Sequence, residues 1–169
     1  GSDGTFGNRW DDPQGLYRVL YASSSRLGAL MEVLARFRPD PHILEALQEI
    51  EDDGGSAVQL PGELDAGWLR NRCFGVARVE GEFVDVGHSA SLAHLRTVLA
   101  SRTVHHGLDD LDAAAIRLSA PRRFTQEISR YVYDRSTPLG QRRFGGIAYR
   151  SRLGDELRAG KLADPVAGL

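Results

Sequence analysis

A single cysteine, Cys73, among 169 residues constrains how this chain can hold itself together. With no second thiol and no Cys/His cluster at metal spacing, the sequence carries neither a disulfide framework nor a zinc site, a pattern that suits the cytoplasm. The fold must therefore rest on a buried apolar core, and 41% hydrophobic residues suffice for one. A chain of this size is expected to form a single domain over residues 1–169. No run approaches the roughly eighteen apolar residues that span a bilayer, and the polar start Gly1-Ser2-Asp3-Gly4 is unlike a signal peptide. A soluble protein with no membrane partner is expected.

Net charge is −2, which argues against direct nucleic-acid binding through a broad basic surface. Of the 21 basic residues only Lys161 is a lysine. Arginine is the side chain best suited to gripping phosphate or carboxylate through two parallel hydrogen bonds.

The patterning alternates strands with helices. Tyr17–Ala22 reads as a strand, followed by a helix capped by Ser24 or Ser25 and running to about Phe37, with Leu27, Leu30, Met31, Leu34 and Phe37 on one face. Pro39 and Pro41 stop it. A shorter helix is expected over His42–Ile50, then a surface loop over Glu51–Gly62. Cys73–Val79 alternates as a strand does, and Glu82–Val86 extends it or forms another. Helices follow at about Ser89–Ala100 and Asp109–Leu118, and a third opens at Pro121 with Phe124, Ile128, Tyr131 and Val132 on its apolar side. Phe144–Ser151 closes the core as a strand on which Ile147, Tyr149 and Ser151 share a side. The chain after Asp164 reads as loosely held. The fold class is α+β, a small mixed or antiparallel sheet flanked by helices.

No strong short motif names a reaction: there is no Walker loop, dinucleotide glycine fingerprint, HExxH or nucleophile elbow. His105 and His106 read as surface or loop histidines, and Arg122 and Arg123 as a solvated helix start. The chemistry-bearing candidates flank the first strand, the first long helix and the last strand.

Those segments carry a resemblance. FGNRWDDP followed by VLYAS and ALMEVL, and then RRFTQEISRYVYD followed by FGGIAYRSRLG, resemble the RES domain family, NAD-degrading toxins of bacterial toxin–antitoxin pairs. The resemblance implies an ADP-ribosyltransferase-like fold, with NAD as substrate, no metal, and cleavage of the nicotinamide–ribose bond. The acceptor of ADP-ribose would be inorganic phosphate, water or a protein side chain. It also implies an opening strand ahead of the Arg-Trp segment, for which the eight residues before Arg9 are too few.

Carried over by position, the match makes Arg9, Tyr21, Glu32 and Ser151 the catalytic set, with Trp10, Tyr149, Arg150 and Arg152 binding substrate. Each has a plainer explanation too. Arg9 could simply pack on the Trp10 indole, and Tyr21 could be cross-strand packing. Glu32 lies opposite the apolar stripe as a surface carboxylate would, and Ser151 could fill space in a buried strand. A silent domain that binds a nucleotide or partner through the same cleft stays open. The resemblance further implies a small helix-turn-helix antitoxin that covers the site, bears any DNA binding, and mediates any oligomer.

Overall fold

The computed structural model describes residues 7–48, 62–117, 121–154 and 157–165. Phe6, the end of the expected His42–Ile50 helix, the loop over residues 51–61, Leu118 and the last four residues lie outside this set. The chain divides into two units, Gly1–Ala29 with Arg78–Leu169, and Leu30–Ala77.

The first unit is built on a four-stranded mixed sheet of β1 (Tyr17–Ser23), β2 (Phe83–Asp85), β3 (Gly146–Arg150) and β4 (Arg158–Pro165), ordered β1-β4-β3-β2. β4 is antiparallel to both its neighbours, pairing Tyr17 with Pro165 on one side and Gly146 with Leu162 on the other, while β2 runs parallel to β3. The two-residue period holds on β3, where Ile147 and Tyr149 both face the core. Three helices pack there: α4 (Ser89–Val98), α6 (Ala113–Arg117) and α7 (Arg122–Tyr133). Leu92 and Leu95 of α4, Ile116 of α6, and Phe124, Ile128 and Val132 of α7 are buried at helical spacing. The α+β class is as the sequence indicates.

Several boundaries differ from the expectations. The Ser89–Ala100 helix breaks at the buried Leu99, beyond which α5 (Ala100–His105) continues. The Asp109–Leu118 helix starts late, at Ala113, because the Asp112 carboxylate caps it by accepting from the Ala115 N–H at 2.6 Å. Pro121 is the residue before α7 rather than its first. Cys73–Val79 forms no strand and is exposed throughout, Val76 leaving 84% of its surface in solvent. Alternation alone cannot make a strand where no neighbour supplies the ladder hydrogen bonds.

The helix α1 (Arg26–Leu34) begins where expected, with Ser25 Oγ accepting from the Gly28 N–H at 3.0 Å, and a 3-10 turn (Ala35–Phe37) ends it. Leu27, placed by periodicity on the apolar face, is 61% exposed. The second unit also contains α2 (Pro41–Gln48) and α3 (Ala66–Arg70), the latter capped by Asp65. In this unit Trp68 meets Phe37 edge-on and lies under the Arg72 guanidinium at 3.5 Å. No helix among the described residues is long and apolar enough to cross a membrane.

Candidate active site

The loop before β1 carries Arg9 and Trp10, and its shape is set by its own carboxylates. Asp11 and Asp12 are buried, so each needs donors to offset its lost hydration. Asp11 accepts from the Asn8 N–H at 2.7 Å and from the Tyr21 hydroxyl at 3.0 Å. Asp12 accepts from the Leu16 N–H at 2.6 Å and the Gln14 N–H at 3.3 Å, with Arg130 Nη1 at 3.5 Å. The Arg130 guanidinium is held above its ordinary pKa, chiefly by its hydrogen bond to Asp134.

Tyr21 works at both ends of one hydroxyl, accepting from the Trp10 N–H at 3.1 Å while donating to Asp11. Its ring leaves 38% of the residue exposed, yet its phenol lies well above the ordinary tyrosine pKa, first because of burial and then because of the Asp11 carboxylate. Burial of the ionising oxygen and the Asp11 carboxylate beside it outweigh the Trp10 N–H, which favours the phenolate, so the upward direction follows.

Trp10 is fully enclosed and packs on Tyr149 of β3, ring centroids 5.5 Å apart and planes tilted by 40°. Arg9 lies against the Trp10 ring at 5.2 Å, and its Nη1 donates to the carbonyl of Arg117 at 3.3 Å. That carbonyl belongs to the last residue of α6, where helical partners run out and a cation is favoured. Beside this junction lies a hollow of about 270 Å³ lined by Gly87, Ala113, Ile116, Arg117, Tyr149 and Arg150. Two arginines and a tyrosine on its wall suit an anionic, partly aromatic ligand.

The match to known families decides what these residues have in common. The RES domain model matches residues 1–162. The chain belongs to the RES domain family. That family is linked to NAD-handling toxin–antitoxin systems. No curated protein and no solved structure matches the chain significantly.

Of the residues that the sequence resemblance singles out, the first unit brings together Arg9, Trp10, Tyr21, Tyr149 and Arg150. Trp10, expected to touch substrate, is a core residue whose packing joins Arg9 to β3. Ser151 lies just past β3 and is 1% exposed; its hydroxyl accepts from the Leu153 N–H at 3.0 Å, shaping the turn toward β4. Arg152 is exposed in that turn, and Glu32 sits on α1 in the second unit with its side chain exposed. Among the described residues no group of three or more His, Cys, Asp or Glu could hold a metal ion.

Sequence reasoning missed Arg117, which neither motif contains, and the polar side of α7. His106, read as a surface or loop residue, ends next to Glu127 at 3.3 Å with a side chain only 13% exposed. Arg122 is exposed at the helix start, as read, and from there its Nη1 donates to the Gly7 carbonyl at 2.7 Å.

Proposed function

We propose that the chain is a toxin-type enzyme, on an ADP-ribosyltransferase-like fold, that cleaves NAD at the nicotinamide–ribose bond and passes ADP-ribose to phosphate or water. One observation carries the reading: the two distant parts of the RES motif meet at Trp10 and Tyr149, beside a hollow walled by arginines. Pyrophosphate is the part of NAD that fixed guanidinium groups hold best, and Arg9, Arg150 and Arg152 are assigned to it. Tyr149 lines the pocket, Tyr21 fixes the Trp10 backbone through its hydroxyl, and the family serine, Ser151, is assigned to the phosphates.

The leaving nicotinamide is cationic in NAD and departs as a neutral base, taking the electron pair of the C–N bond. A strong general acid is therefore unnecessary. What the reaction needs is orientation and a negative charge for the oxocarbenium-like ribose, the role that the motif gives Glu32. The setting is the cytoplasm, where a small helix-turn-helix antitoxin would cover the site, place a carboxylate on Arg9, and carry the DNA binding.

The test is incubation of the purified chain with NAD, with and without inorganic phosphate, followed by mass spectrometry. Nicotinamide with ADP-ribose-1″-phosphate is the phosphorylase outcome, and ADP-ribose alone the glycohydrolase outcome. Glu32→Gln is expected to lower turnover by roughly 10²-fold, the scale of losing one transition-state charge contact. Full turnover in Glu32→Gln removes that assignment. NAD left intact by folded protein sinks the enzymatic reading, and label on a protein acceptor replaces it with ADP-ribosyltransfer.

A further inference from the structure

α7 turns a polar stripe toward the loop that carries Arg9. Arg122, Thr125, Gln126 and Ser129 stand at i, i+3, i+4 and i+7, the spacing of one helix face. Each meets a different carbonyl of four consecutive residues. Arg122 Nη1 donates to Gly7 O at 2.7 Å, Gln126 Nε2 to Asn8 O at 3.0 Å, Thr125 Oγ1 to Arg9 O at 2.7 Å, and Ser129 Oγ to Trp10 O at 2.8 Å. Thr125, Gln126 and Ser129 are buried, so water is not the competing partner it would be on an outer helix face.

The stripe is coupled to β1. A carbonyl only accepts, so Ser129 donates to Trp10 O, and the Tyr17 hydroxyl, 2.6 Å from Ser129 Oγ, must donate to Ser129. On the opposite edge of the same loop, Tyr21 takes the Trp10 N–H. The backbone that bears Arg9 is thus gripped through its carbonyls by α7 and through an N–H by β1. The single Thr125 hydroxyl proton has a second acceptor in reach, Arg122 O at 2.9 Å, so its bond to Arg9 O is shared and a substitution that removes the hydroxyl removes both.

We infer that α7 is a positioning element for Arg9, with Thr125 and Gln126 fixing where its guanidinium stands beside the hollow; the consequence for substrate rests on the NAD reading above. A loop anchored at four successive carbonyls resists local displacement, because moving it strains four hydrogen bonds together, the Trp10–Ser129 bond in a buried setting. Pre-organised placement of a charged group is what makes its contact with a ligand effective.

The experiment compares Thr125→Val, which keeps the shape and removes the donor, with Thr125→Ser, which restores it, and with Gln126→Met as an independent removal. Amide exchange across residues 8–12 and the Arg9 Nε–H signal are followed by NMR at a temperature where thermal melting shows each variant folded. The Arg9 signal is expected to shift and the loop amides to exchange faster in Thr125→Val and Gln126→Met, and both to return in Thr125→Ser. In turnover assays KM for NAD should rise roughly tenfold with a smaller change in kcat, the size of effect that follows when one charge-assisted hydrogen bond is weakened. An unmoved Arg9 signal in both donor-removing variants overturns the inference, whether or not NAD is consumed. A moved signal in a protein that leaves NAD intact upholds the positioning role and sinks only the NAD reading.

Discussion

At the scale of single residues, the site depends on two tyrosines kept neutral. Burial holds the phenols of Tyr17 and Tyr21 above the ordinary value of about 10. Each therefore stays a donor into the alkaline range, where an ordinary tyrosine would ionise, Tyr17 to Ser129 and Tyr21 to Asp11. The sign of the linked stability effect follows. Above a pH of about 10 the unfolded chain releases these protons while the folded chain keeps them, so stability is complete below that pH and is lost as pH rises toward the folded values. Urea denaturation between pH about 8 and about 11 should show an alkaline loss that is shallower in Tyr21→Phe than in the wild type. Equal slopes in the two proteins would mean that Tyr21 ionises as freely in the folded state as in the unfolded one.

At the scale of elements, α7 shows what a sequence does and does not disclose. Its apolar face was legible, because Phe124, Ile128 and Val132 recur at helical spacing and all three are buried. Ile128→Ala should lower the unfolding free energy by about 2–5 kcal/mol, the range for deleting a fully buried aliphatic side chain, as read from a urea transition. The polar face was visible as a pattern, but its meaning was hidden: a polar stripe ordinarily faces water, and nothing local says that a loop lies over it. The clue was chemical, since Thr125, Gln126 and Ser129 are uncharged where a solvated face would carry lysine or glutamate. The strands make the same point in opposite directions. Cys73–Val79 has alternation and β-branched valines but no paired neighbour, whereas β4 was missed because Arg158–Pro165 contains no β-branched or aromatic residue. β4 is a strand because β1 and β3 pair with it on both sides, information that lives in tertiary structure. Arg117 was unreadable for a related reason, since only the fold brings its carbonyl to Arg9.

At the scale of the whole molecule, the described residues differ in burial between the two units. Trp10, Val86, Leu95, Leu111, Phe124, Ile128 and Ile147 in the first unit are each at most 2% exposed, and they form one connected core on the sheet. In the second unit, no residue whose side-chain burial is described is buried. Its helices α2 and α3 are short, and isolated helices of such length have little stability of their own in water. Apolar burial is the main favourable term in folding, so backbone hydrogen bonds in α2 and α3 should open at a much lower free energy than those of α7 and β3. Native-state amide exchange gives both values directly. Amides of residues 43–48 and 68–70 are expected to exchange through local openings that are insensitive to low urea, while those of α7 and β3 should approach the global unfolding limit and follow its urea dependence. The Glu32 amide is the informative intermediate, because α1 starts in the first unit, where Gly28 is buried, and ends in the second. Protection at Glu32 equal to that of β3 would mean that the helix bearing the proposed catalytic carboxylate is stabilised as firmly as the Arg9 loop's own scaffold. Protection like that of α2 would mean that Glu32 is held firmly only once substrate binds, and saturating NAD should then raise protection at Glu32 more than at Ile147.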